Sequence, residues 1–261
     1  MGRLFWWGMH ELRLALLALQ FLTRVPVPAW VGYRDEWLHQ SARHFALVGL
    51  AVGAVAALVL LGASLLWPWP VAVLLSMVAT LVLTGAFHED GLADTFDALG
   101  GAVSRDKALL IMKDSRLGTY GTVALVAVLA LKAAALIALG AQAAVALLLA
   151  HSVSRALPVA LIRGLPYAGD AEAAKAKPLA TQVSLAGVAV AMLWALLVAG
   201  AVIGTRQVGT AAVLVSLIAA AFVALAMARW LRRRLGGFTG DTLGATQQLG
   251  ELAIYLALLA A

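Results

Sequence analysis

The run Phe45-Ala-Leu-Val-Gly-Leu-Ala-Val-Gly-Ala-Val-Ala-Ala-Leu-Val-Leu-Leu-Gly-Ala-Ser-Leu-Leu-Trp67 is 23 residues long and carries no charge. A helix needs about 17–25 mainly apolar residues to cross a bilayer, so this run predicts a membrane span. Working outward, Thr119–Leu139, Ala143–Ile162, Val183–Ile203 and Val208–Trp230 read the same way. Val71–Phe87 and Leu249–Ala261 are shorter and weaker candidates. The runs are mostly Ala, Leu and Val with scattered Gly, which suits close helix packing in lipid. Alternating strands, which a membrane barrel needs, are absent. The prediction is an all-α polytopic membrane protein of about six to seven transmembrane helices.

The rest of the chain agrees. Of 261 residues, 63% are hydrophobic and 12% charged, and the mean hydropathy is +0.95. Soluble domains carry about 25% charged residues. These values exclude a water-soluble globular enzyme, a disordered protein and a disulfide scaffold. With no Cys, a thiolate metal site and a Cys nucleophile are excluded too. No internal repeat or soluble domain stands out, so residues 1–261 are expected to form a single integral membrane domain. Within it, 1–28 would be an interfacial helix and loop, and 45–261 the transmembrane bundle. The stretch Phe5–Leu22 mixes Leu and Trp with Arg3, His10, Glu11 and Arg13. It has no small-residue cleavage site, and it predicts an amphipathic helix lying in the membrane interface, ended by Pro26 and Pro28.

The net charge is +6. In a soluble protein that excess suggests nucleic acid; here topology explains it, and no nucleic-acid partner is expected. If the spans alternate, one side carries Arg24, Arg34, Arg43, Arg105, Lys107, Lys113, Arg116, Arg163, Lys175, Lys177, Arg229, Arg232, Arg233 and Arg234, and the other only Arg206. Lys and Arg collect in cytoplasmic loops. The basic side of this multi-pass chain is therefore expected to be cytoplasmic, and with it the active face.

Acids are scarce, so their placement is informative. Six of the 13 fall within 26 residues: Glu89, Asp90, Asp94, Asp97, Asp106 and Asp114. If the helix of Val71–Phe87 continues, Asp90, Asp94 and Asp97 sit at i, i+4 and i+7 on one face. Carboxylates so close call for a cation, and hard oxygen ligands favour Mg²⁺, Mn²⁺ or Ca²⁺. The bland alternative is a solvated acidic helix end. A second block, Lys113-Asp-Ser-Arg-Leu-Gly-Thr-Tyr-Gly121, offers Arg116 and Lys113 as a phosphate clamp. Asp114 would be a further ligand or orient Arg116, and Gly118 would help face backbone amides toward an anion. A third block, Gly236-Gly-Phe-Thr-Gly-Asp-Thr-Leu-Gly244, brings Asp241, Thr239, Gly240 and Thr242 to the same side. Inside the spans, Lys132, His151, Ser154 and Arg155 must face the bundle interior. Arg155 and His151 share a helix face and are candidates to line a substrate cavity; a structural polar contact serves equally well.

At these blocks the chain resembles the cobalamin synthase family, formally adenosylcobinamide-GDP ribazoletransferase. The resemblance rests on Phe21-Leu-Thr-Arg-Val-Pro-Val-Pro28, Gly85-Ala-Phe-His-Glu-Asp-Gly-Leu-Ala-Asp-Thr-Phe-Asp97, Lys113–Gly121 and Gly237-Phe-Thr-Gly-Asp-Thr-Leu-Gly-Ala245. They occur in the family's order and spacing. The loop Ala168–Pro178 matches least. The resemblance implies a Mg²⁺-dependent phosphoryl transfer, in a prokaryotic cytoplasmic (inner) membrane, that joins adenosylcobinamide-GDP to α-ribazole, or α-ribazole 5′-phosphate, and releases GMP. On this reading Asp90, Asp94, Asp97 and Asp241 are the metal ligands. Arg116 and Lys113 offset charge on the transferred phosphorus. The base is left open among His88, Glu89 and the aspartates. Asp114, Ser115, Gly118, Thr239, Gly240, Thr242, Arg24, His151 and Arg155 are the substrate-binding candidates. Partners are these substrates and the lipid bilayer, with a homo-oligomer left open. CDP-alcohol phosphotransferases gather aspartates at a membrane face in a similar way, but Asp90-Gly91-Leu-Ala-Asp94 departs from their pattern. The alternative is a small multi-spanning transporter or ion-coupled carrier, drawing on Lys132, His151 and Arg155. A carrier keeps acids near the bilayer midplane, whereas here they are expected at the boundary.

Overall fold

The computed structural model describes residues 2–169 and 180–261, with Gly2–Trp7 described by backbone alone. Lys175 and Lys177, counted above on the basic side, and most of the Ala168–Pro178 loop lie outside the described residues. Those described form eleven α-helices and no strand; one isolated bridge pairs Tyr167 with Phe238. In chain order the helices are α1 (Gly2–Leu22), α2 (Asp35–Ser41), α3 (Phe45–Ser64), α4 (Trp69–Thr84), α5 (Phe87–Leu99), α6 (Arg105–Ile111), α7 (Thr119–Leu139), α8 (Ala143–Gly164), α9 (Leu185–Thr205), α10 (Thr210–Arg234) and α11 (Gly240–Ala260).

Four helical stretches among the described residues are long and apolar enough to cross a membrane: Asp35–Ser64, Thr119–Gly164, Leu185–Thr205 and Thr210–Arg234. The pair α4 and α5 makes a fifth if counted as one span. This is fewer than the six to seven expected. Part of the difference is that Thr119–Gly164 contains two helices, α7 and α8, which meet at a turn where Gly140 has φ 54°. The rest lies in α11, which carries too many polar groups to qualify by composition. The protein is an all-helical, polytopic membrane protein.

The packing reverses that of a water-soluble domain. Leu58, Ile218 and Phe222 stand 70%, 69% and 71% exposed, as lipid-facing side chains do, while small residues hold the interior. Gly49 and Gly53 on α3 lie against the α8 backbone; a Cβ on Gly53 would come 2.7 Å from the Leu147 carbonyl oxygen, and one on Gly49 would collide with that of His151. This Gly-x-x-x-Gly crossing lets the helices gain backbone-level contact, which drives helix association in lipid. Ser152 on α8 donates to the Ala46 carbonyl at 3.0 Å, and Ser76 on α4 to that of Ala56 at 2.8 Å. Helix α8 is central: 17 of its 22 residues are buried, and it packs on α3, α9, α10 and α11.

Helix α1 is not a free surface helix. Leu14, Leu17, Ala18 and Leu22 are buried, and Glu11 pairs with Arg43 and His44, each at 2.9 Å. The helix docks on α2 and α3.

The expected continuation of the Val71–Phe87 helix into the acidic segment does not occur. Gly85 and Ala86 both adopt left-handed conformations (φ 68° and 56°), and the chain turns by 87° from α4 into α5. An alanine held there costs about 1–2 kcal/mol. Arg24 lies over the break: its backbone N–H donates to the Leu83 carbonyl at 2.8 Å, and its side chain fills the space that a Cβ on Gly85 would need.

Candidate active site

The break sends α5 across α11. At the crossing both helices use glycine. A Cβ on Gly91 would lie 2.7 Å from the Asp241 carbonyl oxygen, and one on Gly244 would lie 3.2 Å from that of His88. Asp241 stands in the first turn of α11 against Gly91, and Asp94 follows Gly91 by one turn of α5. Asp94 and Asp241 are half-buried and Asp90 is exposed. The shared face expected for Asp90, Asp94 and Asp97 exists on α5, although the helix that carries it is a new one.

Asp97 is engaged within the chain. Its carboxylate accepts from the backbone N–H groups of Gly118 (2.7 Å) and Gly121 (2.8 Å) at the start of α7. An anion at the N-terminus of α7 was expected; here a side chain of the chain itself stands there and satisfies otherwise orphaned amides. Among the described residues no three His, Asp or Glu side chains are gathered closely enough to form a metal-holding group.

Thr239 and Thr242 have a structural task. They form a reciprocal capping box on α11: the Thr242 N–H donates to Thr239 Oγ1 at 3.3 Å, and the Thr239 N–H to Thr242 Oγ1 at 2.9 Å. Both are buried. Their hydroxyls set where α11 starts, and so where Gly240 and Asp241 sit. Arg116 binds Asp114 with both nitrogens of its fork, at 3.0 and 2.5 Å, on an exposed loop shared with Lys113 and Ser115. The guanidinium beside it holds the Asp114 carboxyl below the usual carboxylate range. Asp114 orienting Arg116 is the geometry found.

The basic residues read as topology anchors have structural tasks as well. Arg234 donates to the carbonyls of Leu99 (3.0 Å) and Gly101 (2.8 Å), closing the C-terminus of α5. Arg105 does the same for Leu235 at 2.7 Å, beyond α10, and exposed Arg232 donates to Gly164 at 3.2 Å.

Sequence reasoning missed a buried polar network centred on Glu251, midway along α11. Glu251 pairs with Lys132 of α7 at 2.7 Å and with His151 of α8 at 3.4 Å. Gln247 bridges Glu251 and Ser154, and Tyr255 donates to Glu251 at 3.2 Å. Gln248 accepts from Lys132 and donates to Glu89 of α5 at 2.9 Å. Arg155 binds His151 at 3.1 Å. The signal was available: Gln247-Gln248-x-x-Glu251 stands inside a mainly apolar run. Glu251 and Glu89 are buried within the bundle, 1% and 8% exposed. Arg155 lines a pocket beside His88, and His151 lines an internal one beside Lys132 and Glu251.

Fold and crossing together define a membrane-embedded protein with an acidic helix crossing beside loops rich in Arg and Lys. The family described as cobalamin-5-phosphate synthase matches residues 14–259. The chain belongs to that family. It is 62% identical over 257 residues to an adenosylcobinamide-GDP ribazoletransferase of Leptothrix cholodnii, covering 96% of each chain. It is 47% identical over 254 residues to the protein so named in Vibrio cholerae, covering 96% of this chain and 95% of that one. The protein of that name from Shewanella amazonensis is also 47% identical, covering 96% of each. No solved structure matches.

Proposed function

We propose that this enzyme of cobalamin synthesis joins adenosylcobinamide-GDP to α-ribazole, or to α-ribazole 5′-phosphate, at the cytoplasmic face of the inner membrane. A ribose hydroxyl attacks the cobinamide-bearing phosphorus of the diphosphate. The bond to the bridging oxygen breaks and GMP leaves with that oxygen. Such chemistry is mostly positioning and charge stabilisation. The observation that carries the reading is the whole-length similarity to relatives that bear this name.

The crossing of α5 and α11 supports it chemically. Asp94 and Asp241 are the carboxylates set there, with Asp90 beside them. That donor set suits Mg²⁺, which takes one or two carboxylates and fills its shell with water and phosphate oxygens. When bound, the ion would neutralise diphosphate charge. Arg116, held by Asp114, and Lys113 stand on the loop before α7 as cations for the remaining phosphate oxygens. The buried network holds α5, α7, α8 and α11 in register beneath them. The whole-length similarity to relatives named as transferases favours an enzyme over a carrier.

The test uses purified protein in nanodiscs with adenosylcobinamide-GDP, α-ribazole and Mg²⁺. GMP release with formation of the nucleotide-looped corrinoid is expected. Absence of product with folded protein and adequate lipid would overturn the proposal.

A further inference from the structure

Nδ1 of His88 and Nε of Arg155 have no hydrogen-bond partner among the described residues, on side chains 4% and 3% exposed. A buried polar atom left unpaired costs about 1–3 kcal/mol, and such an exception in a native structure asks for a reason. Both residues line the same pocket, and its other walls are largely apolar, with Phe21, Phe45, Phe87 and Leu243 prominent. Phe21 stacks on Phe45 with ring centres 5.7 Å apart and meets Phe87 edge-on at 5.5 Å. Gly240 and Gly244 of α11 also line the pocket, so it adjoins Asp241. Its enclosed cavity volume is about 30 Å³, space for about two waters, so a ring enters only if the wall gives way; Phe87, 42% exposed at the rim, is the side chain that would have to move.

The lining selects among ligand chemistries. A phosphate would meet one guanidinium and one imidazole, with walls that are otherwise largely carbon. A sugar would leave its hydroxyls unmatched. A planar, apolar heteroaromatic ring stacks on phenylalanine, and its ring nitrogen accepts from Arg155 or bonds His88. We propose that this pocket holds the aromatic base of the acceptor nucleoside, with the ribose emerging past Gly240 toward the acidic crossing. This rests on the proposed reaction, whose acceptor base is a benzimidazole, and adds the residues that recognise that base. Phe87, Arg155 and His88 then set specificity for the acceptor rather than bind the diphosphate.

The experiment measures binding of benzimidazole alone to the full chain in nanodiscs, by saturation-transfer NMR, and Michaelis constants for both substrates. Base stacking on an aromatic side chain predicts that Phe87→Ala weakens benzimidazole binding roughly tenfold. It should raise KM for α-ribazole by a similar factor and leave KM for adenosylcobinamide-GDP within about twofold. Arg155→Lys should act in the same direction. Arg155 also bonds within α8, so Phe87→Ala, at the exposed rim, decides the matter if Arg155→Lys fails to fold. Benzimidazole binding indifferent to Phe87→Ala, or KM values for both substrates rising together, would overturn the pocket assignment. Benzimidazole binding that Phe87→Ala weakens, in a protein that releases no GMP, would uphold the pocket and count against the proposed reaction alone.

Discussion

The chain keeps two sets of acids, and they differ in company. Around Glu251 every partner is fixed: Lys132, His151, Gln247 and Tyr255 converge on one carboxylate that water does not reach. At the α5–α11 crossing, Asp94 and Asp241 stay half-open and Asp90 is exposed. The lesson is that rarity of charge in an apolar chain marks two different things. Inside the bundle, charge is neutralised by its own kind of network and holds helices together. At the edge it stays partly open to the surroundings.

The comparison breaks most visibly at Glu251. Glu251→Ala leaves Lys132 buried without its ion-pair partner, a loss of about 3–5 kcal/mol. Thermal unfolding in detergent should fall sharply, and little protein should remain monodisperse. A wild-type melting curve would mean the network is not what holds α7, α8 and α11. The edge set should show the opposite signature. Asp94→Asn or Asp241→Asn is expected to cut turnover by at least about a thousandfold, or about 4 kcal/mol of transition-state stabilisation, with a near-normal melting curve. Wild-type rates across a Mg²⁺ titration would refute the role given to these two carboxylates.

Gly91→Ala tests the geometry between the two sets. Its Cβ would meet Asp241 backbone, forcing the helices apart at about 1–3 kcal/mol. Both stability and turnover should drop, and a loss in neither would mean the helices separate freely. The smallest effect is expected at Asp97. Asp97→Asn weakens a helix cap by about 1 kcal/mol and should leave the Mg²⁺ concentration for half-maximal rate unchanged. A shifted Mg²⁺ dependence would return Asp97 to the metal.

How far these assignments were legible in the sequence follows the range of the interactions. Apolar runs announce spans by length alone, and the i, i+4, i+7 spacing placed Asp90, Asp94 and Asp97 on a common helix face. The break at Gly85-Ala86 was harder, because alanine in a left-handed conformation leaves no compositional mark. The capping tasks of Asp97, Thr239 and Thr242 were not foreseen, because a carboxylate or hydroxyl near glycines suits a cap as well as a ligand. Only coordinates show which amide it meets. The Glu251 network escaped because its members are remote: Lys132 and Gln248 are 116 residues apart. Each one alone looks like a stray polar group in a span.

The placement of Glu251 on α11 has a consequence for synthesis. Lys132 is made first, and its counter-charge follows 119 residues later. At about 5–20 residues per second, the cation spends on the order of 6–24 s in the membrane before it arrives. The half-made chain must hold it by water, lipid phosphate or a helper protein until then. Arrival of α11 is therefore the moment at which the bundle locks, and a ribosome that stalls before it leaves an unmatched charge for quality control to find.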